Sequence, residues 1–435
     1  MSVTRLSWGG YPEAEHRGTI RLGWRTDEPR WPAGGTVLPH GLGRSYGDSC
    51  LNDGGWLLDV LGLDRFIAFD RDQGVVRCES GVTLAALLSL VVPAGWFPPV
   101  LPGTRWVTVG GAVANDIHGK SHHVDGTFGT HVRCFELLRS TGERLRCAPD
   151  ENVELFRATI GGLGLTGVIT WVELQLRRIP GPCIAAEEIR YGSLDDFFSL
   201  SLASIGRRYS VAWVDALARG RELGRGVFIH GDHTDEACRP RSLGTGALRV
   251  PMDAPFSVLT GITARAFNAA YFRLRPQRRR RVTHYEPFFF PLDAVRDWNR
   301  LYGRRGFVQY QCVVPLRHPE AVAALLERIS RAGEASFLTV LKRFGDVPSP
   351  GLLSFPRPGY TAAFDFRFRG APTLALLEDL DGIVRAAGGA VYPAKDARMS
   401  PASFRAFFPA WERFSDSVDP AFSSSFWRRV TAGAA

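Results

Sequence analysis

The sequence has few cysteines and no cysteine pattern that would indicate a metal site. Seven cysteines are spread over 435 residues, and none belongs to a C-x-x-C pair, the spacing typical of zinc and redox sites. The odd count argues against a disulfide framework. His122, His123 and His131 have no carboxylate or cysteine at ligand spacing, so we expect no metal.

Long hydrophobic runs are also missing. The run over residues 84–92 is about half of the ~20 residues that span a bilayer. The first thirty residues carry charges and lack the apolar core and cleavage site of a secretory signal. We therefore expect no transmembrane segment and no signal peptide, and a protein that is soluble or peripheral on a membrane.

The composition is that of a folded protein with a basic surface. Hydrophobic residues make up 45% and charged residues 22%, which excludes a disordered chain. The length predicts two to three domains. A net charge of +9 favours anionic partners, and by itself does not choose among nucleic acid, acidic lipid and phosphorylated substrates.

Apolar periodicity predicts two parts of mixed α+β structure that meet near residue 180. The segment of about 240–282 shows the weakest pattern, and we predict a mobile lid there. The predicted helices cover residues 84–92, 154–160, 194–202, 319–329 and 373–387, and the predicted strands cover residues 56–60, 75–78, 168–174, 211–214, 307–314, 337–342 and 362–368.

Three glycine-rich turns, at residues 41–47, 103–111 and 161–167, fall within the first part. Residues 162–167 match G-x-G-x-x-G, but a helix precedes them and a strand follows, the reverse of a Rossmann phosphate loop. Several turns with accessible N–H groups suit a long, doubly phosphorylated cofactor. The alternative is that the glycines serve only for turns and close packing.

Residues 41–48, 101–112 and 116–120 resemble the FAD-binding domain of oxidases of the vanillyl-alcohol-oxidase type. The similarity continues through residues 210–213, 306–311 and 392–396, and it points within that family to oxidases of lipid-linked ribose. It implies an FAD-binding domain over residues 1–180, a substrate domain on a mixed or antiparallel sheet with helices over 181–388, and a segment over 389–435 that returns to the FAD-binding domain.

The resemblance implies an enzyme that oxidises the 2-hydroxyl of a polyprenyl-phosphate-linked ribose to a ketone, the first step of epimerisation to arabinose for a cell-wall polysaccharide. The implied partners are the lipid-linked sugar, a short-chain NADH-dependent keto-reductase and an anionic membrane surface, with the protein peripheral on the inner membrane, on its cytoplasmic or periplasmic side. The alternative is a soluble sugar, alditol or aldonolactone oxidase that uses oxygen as acceptor.

By the same resemblance, a set of backbone and side-chain groups contacts FAD. Oxidases that attach flavin covalently have a histidine near the position of Arg44, so we expect non-covalent FAD here. The implied cofactor contacts are Pro39, His40, Gly41, Leu42, Gly43, Arg44, Ser45, Tyr46, Gly47, Asp48, Ser49, Gly103, Thr108, Val109, Gly110, Gly111, His118, Gly119, Lys120, Ser121, Ile169 and Tyr392.

Lys395 is the candidate base or substrate-orienting cation, because burial near a flavin would lower the pKa of its amine, and His118 is the candidate hydrogen-bonding partner or proton relay. Lys342 is a candidate partner of the lipid phosphate. Ala363 and Thr361 stand where related enzymes carry cysteine and asparagine, which changes the shape of the pocket. The implied substrate contacts are Trp213, Tyr302, Gln309, Gln311, Lys342, Thr361 and Ala363.

The arginine run at residues 278–281 has three readings: a solvated basic loop, an attachment to an anionic membrane surface, or a nucleic-acid contact. A lipid-linked substrate fits the membrane better than RNA. No nucleic-acid-binding motif accompanies the run, so we expect no nucleic acid.

Overall fold

The computed structural model describes residues 3–4, 6–239, 248–254, 261–334 and 338–433. Its helices are α1 (Leu84–Val91), α2 (Val109–Ala114), α3 (His122–Asp125), α4 (Val153–Thr159), α5 (Leu194–Ala203), α6 (Gly261–Arg273), α7 (Tyr285–Phe289), α8 (Pro319–Ala332), α9 (Ala371–Ala386), α10 (Pro401–Phe407), α11 (Trp411–Ser415) and α12 (Ser425–Thr431).

The strands are β1 (Val3–Thr4), β2 (Glu15–His16), β3 (Gly18–Arg21), β4 (Val37–His40), β5 (Trp56–Asp59), β6 (Phe66–Asp70), β7 (Val75–Glu79), β8 (Trp96–Phe97), β9 (Val132–Leu138), β10 (Arg144–Cys147), β11 (Val168–Gln175), β12 (Arg177–Arg178), β13 (Cys183–Tyr191), β14 (Tyr209–Val214), β15 (Gly226–Thr234), β16 (Leu248–Arg249), β17 (Arg278–His284), β18 (Val295–Arg296), β19 (Phe307–Pro315), β20 (Val340–Phe344), β21 (Gly359–Arg367) and β22 (Ala390–Val391).

Three sheets of three or more strands organise the described residues, beside three two-stranded pairs. Strands β3, β5 and β4 form a parallel sheet, and β10-β9-β11-β7-β6 form an antiparallel sheet. The largest sheet has the order β17-β13-β15-β14-β20-β21-β19-β22, and all of its pairs are antiparallel. The predicted α+β class is therefore confirmed, with an antiparallel substrate-side sheet.

The change from one sheet to the next falls near the predicted boundary. β11 ends the five-stranded sheet at Gln175, and β13 enters the eight-stranded sheet at Cys183. The last described helix, α12, returns to the amino-terminal side, where Arg429 pairs with Asp48. The division into domains at 180 and 388 stays a prediction.

Helix α8 shows how apolar spacing positions these elements. Val322, Leu325, Leu326 and Ile329 are buried against the large sheet, as their spacing of three and four residues predicts. Gly333 ends the helix at a φ of 67°, in the left-handed region that glycine adopts without strain. Helix α8 therefore covers this face of the large sheet.

The argument against a disulfide framework did not anticipate one disulfide. Cys183 and Cys238 form a disulfide, because antiparallel pairing of β13 with β15 sets Cys183 opposite Thr234 and brings the following residues alongside. The two cysteines are 55 residues apart in the chain, so no local spacing reveals the pair.

The described residues within the segment of about 240–282 are more regular than predicted. It contains helix α6, and the arginine run lies in β17, an edge strand rather than a loop. Arg278 and Arg280 pair with Glu187, and Arg281 pairs with Glu188, on the neighbouring strand β13. These ion pairs let a highly charged run pair as a strand. Residues 240–247 and 255–260, part of the predicted lid, lie outside the described residues.

Candidate active site

A cavity of about 910 Å³ lies between the amino-terminal sheets and the large sheet. Its size is at the upper end for small-molecule sites. All three glycine-rich turns line it, through Gly41 and Gly43, through Gly103, Gly110 and Gly111, and through Gly164 and Gly167. The turn at 162–167 joins α4 to β11, the helix-to-strand context expected from the sequence.

Most of the residues implied as cofactor contacts line this cavity. Gly41 packs so closely that a Cβ there would lie 2.8 Å from Thr108 Oγ1, so glycine lets the loop meet α2. The implied cofactor contacts that line the cavity are Pro39, His40, Gly41, Leu42, Gly43, Arg44, Ser45, Tyr46, Ser49, Gly103, Thr108, Gly110, Gly111, His118, Gly119, Lys120, Ile169 and Tyr392.

Four implied contacts lie behind the wall, and their contact with FAD stays a prediction. Gly47 packs against the backbone of Asp396, and Asp48 is buried in an ion pair with Arg429. Val109 belongs to the hydrophobic core. The Ser121 hydroxyl donates to the carbonyl oxygen of Pro99 at 2.9 Å. These residues hold the shape of the cavity from outside it.

The residues present fit a large polar cofactor. The buried hydroxyls of Ser49 and Ser80 line the cavity and have no hydrogen-bond partner within the described part of the chain. Buried polar atoms are normally paired. Together with the bare backbone of the glycine turns, these hydroxyls match a ligand with many donors and acceptors, such as FAD.

Arg44 lies at the wall with its guanidinium 4.1 Å from the ring centroid of Trp8, a cation–π contact. Burial lowers the pKa of Arg44, and the carboxylates of Asp293 and Asp297 oppose that shift. Trp8, Asp293 and Asp297 also line the cavity, and sequence reasoning missed all three.

The chain has only three lysines among its fifty-three lysines and arginines, and all three line this cavity: Lys120, Lys342 and Lys395. Burial lowers the pKa of Lys120 to about 7 and that of Lys342 to about 8. Arginine stays charged at any ordinary pH, whereas a buried amine can lose its proton. The scarcity of lysine was therefore a signal for the site, and sequence reasoning did not use it.

Lys395 follows β22 in a turn in which its backbone N–H donates to the carbonyl oxygen of Tyr392. Its Nζ lies 3.5 Å from the ring centroid of Tyr46. Burial lowers the pKa of the Lys395 amine, Asp365 raises it, and the charge of Lys342 lowers it. The amine is thus surrounded by an aromatic face, one carboxyl and a second amine.

Asp365 is the principal functional candidate that the sequence reading missed. It is buried, it lines the cavity, and it accepts a hydrogen bond from Gln309. Burial raises the pKa of its carboxyl, while Gln309, Lys395 and Tyr302 favour its charged form. A lone carboxylate in an apolar strand, two residues after Ala363 and so on the same face, was the available signal.

His118 contacts two other predicted site residues. Its Nε2 lies 2.9 Å from Gln311 Nε2, and its Nδ1 lies 3.4 Å from Lys342 Nζ. Burial, and then the charge of Lys342, lowers the pKa of His118 well below 6.5. The ring is therefore neutral near pH 7, which suits hydrogen bonding better than accepting a proton.

The implied substrate contacts divide in the same way. Trp213, Gln309, Gln311, Lys342 and Ala363 line the cavity, whereas Tyr302 and Thr361 lie behind it. Tyr302 stacks on Phe307, with ring centroids 4.3 Å apart. Thr361 accepts a hydrogen bond from Gln311 at 3.2 Å.

The three histidines considered for a metal have separate partners. His123 Nε2 lies 2.6 Å from the carbonyl oxygen of Arg207, and His131 Nε2 lies 2.8 Å from that of Asp125. His122 Nδ1 accepts from the backbone N–H of Gly345. Among the described residues, no three histidine, cysteine or carboxylate side chains converge as metal ligands.

Arg429 ties the carboxyl-terminal helix to both sides of the site. Its Nη2 donates to Asp48 Oδ1 at 2.7 Å and to Asp396 Oδ2 at 2.8 Å. We expect Arg429→Met to lower the free energy of unfolding by about 3 to 5 kcal/mol, because two buried carboxylates lose their counter-charge. Urea denaturation measures the change.

The matched control is Arg413→Met, which removes an exposed pair with Glu154. Such pairs contribute little, so a change within about 0.5 kcal/mol is expected. Equal effects of the two substitutions would show that Arg429 does not hold the site together.

Comparison with known proteins agrees with this site. Residues 32–148 match a family model described as an FAD binding domain. A decaprenylphosphoryl-beta-D-ribose oxidase of Mycolicibacterium smegmatis is 37% identical over 410 residues, which cover 91% of this chain and 89% of the relative. A Streptomyces coelicolor protein described as uncharacterized is 36% identical over 368 residues, covering 80% of this chain and 100% of that protein.

A more distant relative matches a smaller part. The Delta(24)-sterol reductase of Homo sapiens is 31% identical over 117 residues, covering 27% of this chain and 23% of the reductase. A shared FAD-binding domain, set against a cavity with titratable amines, defines an FAD-dependent oxidoreductase. The extent of the match to the Mycolicibacterium smegmatis protein shows that the chain belongs to the decaprenylphosphoryl-beta-D-ribose oxidase family.

Proposed function

We propose that this enzyme oxidises the 2-hydroxyl of a polyprenyl-phosphate-linked ribose to the 2-keto sugar, the first step of epimerisation to arabinose for a cell-wall polysaccharide. The observation that carries the proposal is the half-buried Lys395 amine, which faces the charge of Asp365 in the same cavity as the three glycine turns. Oxidation of an alcohol needs a group to accept the hydroxyl proton, and this amine supplies one.

Bound FAD would supply the hydride acceptor, and the glycine turns with Ser49, Ser80 and Tyr392 would hold it. Arginine at position 44 does not form the covalent bond that a histidine can form with flavin, which supports non-covalent FAD. The neutral form of Lys395 takes the hydroxyl proton at Nζ, and burial makes that form accessible near neutral pH.

The side chains around Lys395 would orient the sugar. Gln309 and Gln311 lie two residues apart on β19 and both line the cavity. Their amides are held by Asp365 and by His118, so they offer fixed positions to sugar hydroxyls. Ala363 leaves more room at the wall than a cysteine would.

The other two lysines suit the phosphate of a lipid-linked sugar. Lys342 and Lys120 line the cavity, and neither has a carboxylate partner within 4.0 Å among the residues that the structure describes. Lys120 Nζ donates to the carbonyl oxygen of Phe289 at 3.1 Å. A bound phosphate would raise the pKa of both amines by stabilising their charged forms.

The product of this reaction is a keto sugar, so a reductase must act next to complete an epimerisation. We propose a short-chain, NADH-dependent keto-reductase as that partner and a peripheral position at the inner membrane, on its cytoplasmic or periplasmic side. No helix within the described ranges is long and apolar enough to cross a membrane.

The test compares substrates under anaerobic conditions. Polyprenyl-phosphoryl ribose should bleach the flavin absorbance of the purified holoenzyme, and free pentitols and aldonolactones should not. Bleaching by the free sugars alone would favour the soluble, oxygen-using oxidase. Recovery of a 2-keto product from the lipid-linked sugar completes the assignment.

The pH dependence of flavin reduction should report the pairing of Lys395 with Asp365. The rate should rise with pH as the amine loses its proton. The negative charge of Asp365 raises the pKa of Lys395, so Asp365→Asn lowers that pKa and moves the rising limb to lower pH. Single-turnover reduction across pH measures the shift.

A second readout does not depend on turnover. Reductive methylation with ¹³C labels the three lysines and the terminal amine, and NMR titration then gives the lysine pKa values directly. The surface variant Asp379→Asn, whose carboxylate pairs with Arg328, should leave the Lys395 signal unchanged. A Lys395 pKa that is unmoved or raised in Asp365→Asn would contradict the pairing.

A further inference from the structure

The most exposed large apolar side chains of the described chain lie on two elements that flank the cavity. Leu274 is 83% exposed, Leu248 is 76% exposed and Met252 is 70% exposed. Isolated exposed leucines are common on protein surfaces. Here the three highest exposures fall beside the wall of one cavity, and such a concentration marks an interaction surface.

The first element is α6 with the residue that follows it. Phe267 and Tyr271 line the cavity, and Phe267 is also 43% exposed, so the cavity reaches the surface beside this helix. Phe267, Tyr271 and Leu274 are spaced by four and three residues, which sets them on one face. An apolar face thus runs from the cavity wall to the exposed Leu274.

The stripe of α6 next to this apolar face fixes the helix to the protein by a polar contact. Asn268 is fully buried, and its Nδ2 donates to Asp215 Oδ1 at 2.8 Å. Ala264, one turn earlier, is also buried. A surface helix normally buries its large apolar residues and exposes polar ones. The buried amide of Asn268, the exposed Phe267 and the exposed Leu274 just after the helix reverse that pattern, so an apolar partner fits the exposed face.

The second element is the pair of β16 with β18. Leu248 pairs with Val295, and Arg249 pairs with Arg296. Val295 and Arg296 line the cavity. Leu248 and the nearby Met252 therefore stand beside the same cavity as α6, on a different element.

The surroundings of α6 are strongly basic. Residues 261–284 comprise α6, β17 and the segment between them, and β13 pairs with β17. Together these residues and β13 contain eight arginines and two glutamates. Glu187 and Glu188 pair with four of these arginines, at 275, 278, 280 and 281. The arginines outnumber the glutamates four to one, so the surface keeps a large positive charge that attracts anionic headgroups.

We propose that the apolar face of α6 and the strand β16, which both flank the cavity, form with the surrounding arginines the surface by which this enzyme docks on an anionic lipid bilayer. The apolar side chains enter the interface and the arginines contact the headgroups. Because the cavity opens beside α6, a docked enzyme could receive a lipid-linked substrate without the lipid tail entering water. That last consequence rests on the proposed function, whereas docking itself does not.

The test is co-sedimentation of the FAD-loaded enzyme with vesicles made of equal parts phosphatidylcholine and phosphatidylglycerol. The variant Leu248→Asp/Leu274→Asp should lose binding by about tenfold or more, because two leucines lose their burial in the bilayer. The matched control Leu202→Asp changes a leucine that is 58% exposed on α5 and should bind like the wild type. Flavin absorbance and the melting temperature should be equal in all three proteins.

Charge is tested separately. Replacing Arg273 and Arg279 by glutamate should weaken binding to the anionic vesicles several-fold, and raising the salt concentration should do the same. Equal binding by the wild type and by the double leucine variant would overturn the proposal. Binding that depends on the arginines alone and is displaced by RNA would assign the surface to nucleic acid instead.

Failure of the docking surface and failure of the proposed function give different experimental results. If lipid-linked ribose does not bleach the flavin but the leucine variant loses vesicle binding, the docking surface stands and the substrate is wrong. If bleaching occurs and vesicle binding is unchanged in the variant, the substrate stands and the docking surface is wrong.

Discussion

The Lys395→Met variant is expected to keep FAD bound and to lose flavin reduction by substrate by about 10²- to 10⁴-fold, the usual contribution of a positioned base. Methionine fills a similar volume and has no basic nitrogen. The amine lies over the face of Tyr46, a contact that an apolar side chain can retain. The measurement is anaerobic single-turnover reduction, with the ratio of flavin to protein recorded for each preparation.

A second substitution at Lys395 distinguishes a role as proton acceptor from a role as positive charge. Lys395→Arg keeps a cation at the position, but arginine does not lose its proton at any working pH. We therefore expect Lys395→Arg to be as slow as Lys395→Met. If arginine supports reduction near the wild-type rate, Lys395 acts only as an orienting cation.

Gly47→Ala is expected to remove FAD and to lower the free energy of unfolding by at least about 3 kcal/mol, near or above the upper end for inserted core atoms. A Cβ at Gly47 would lie 1.7 Å from the carbonyl oxygen of Asp396 and 2.9 Å from the Cα of Ala397. Both neighbours are backbone, so the loop and the Lys395 segment must separate.

The separation would affect both halves of the site. The backbone N–H of Tyr46 donates to the carbonyl oxygen of Ala394 at 2.9 Å, and this bond joins the cofactor loop to the turn that carries Lys395. Gly206→Ala is the matched control, since a Cβ there meets nothing within 4 Å. Urea denaturation and the flavin-to-protein ratio measure the effects. A stable, yellow Gly47→Ala protein would show that the loop tolerates displacement.

Much of this architecture could be predicted from the sequence. Segments with a clear helical period of apolar residues were correctly predicted as helices, such as α5 and α8. The predicted ends of these helices differ from the observed ends by a few residues. The three glycine turns were recognised because glycine marks sites of close backbone approach. Local signals of this kind survive folding, since they depend on neighbours in the chain.

What the sequence did not predict depends on contacts between distant segments. The Cys183–Cys238 disulfide and strand β17 both follow from pairing across β13, which no local pattern encodes. Asp365 was missed because its role depends on Lys395 and Gln309, which reach the cavity from other strands and turns. Gly47 and Asp48 pack behind the cavity wall, an orientation that a resemblance does not specify, and their contact with FAD stays a prediction.

The isotope dependence of flavin reduction tests oxidation of the 2-hydroxyl most directly. Polyprenyl-phosphoryl ribose carrying deuterium at C2 should reduce the flavin of the anaerobic enzyme several-fold more slowly than the unlabelled substrate, with deuterium lost from the 2-keto product. Deuterium at C3 should leave the rate unchanged. Equal rates for the C2-labelled and unlabelled substrates, with deuterium retained at C2, would contradict oxidation of the 2-hydroxyl at this cavity.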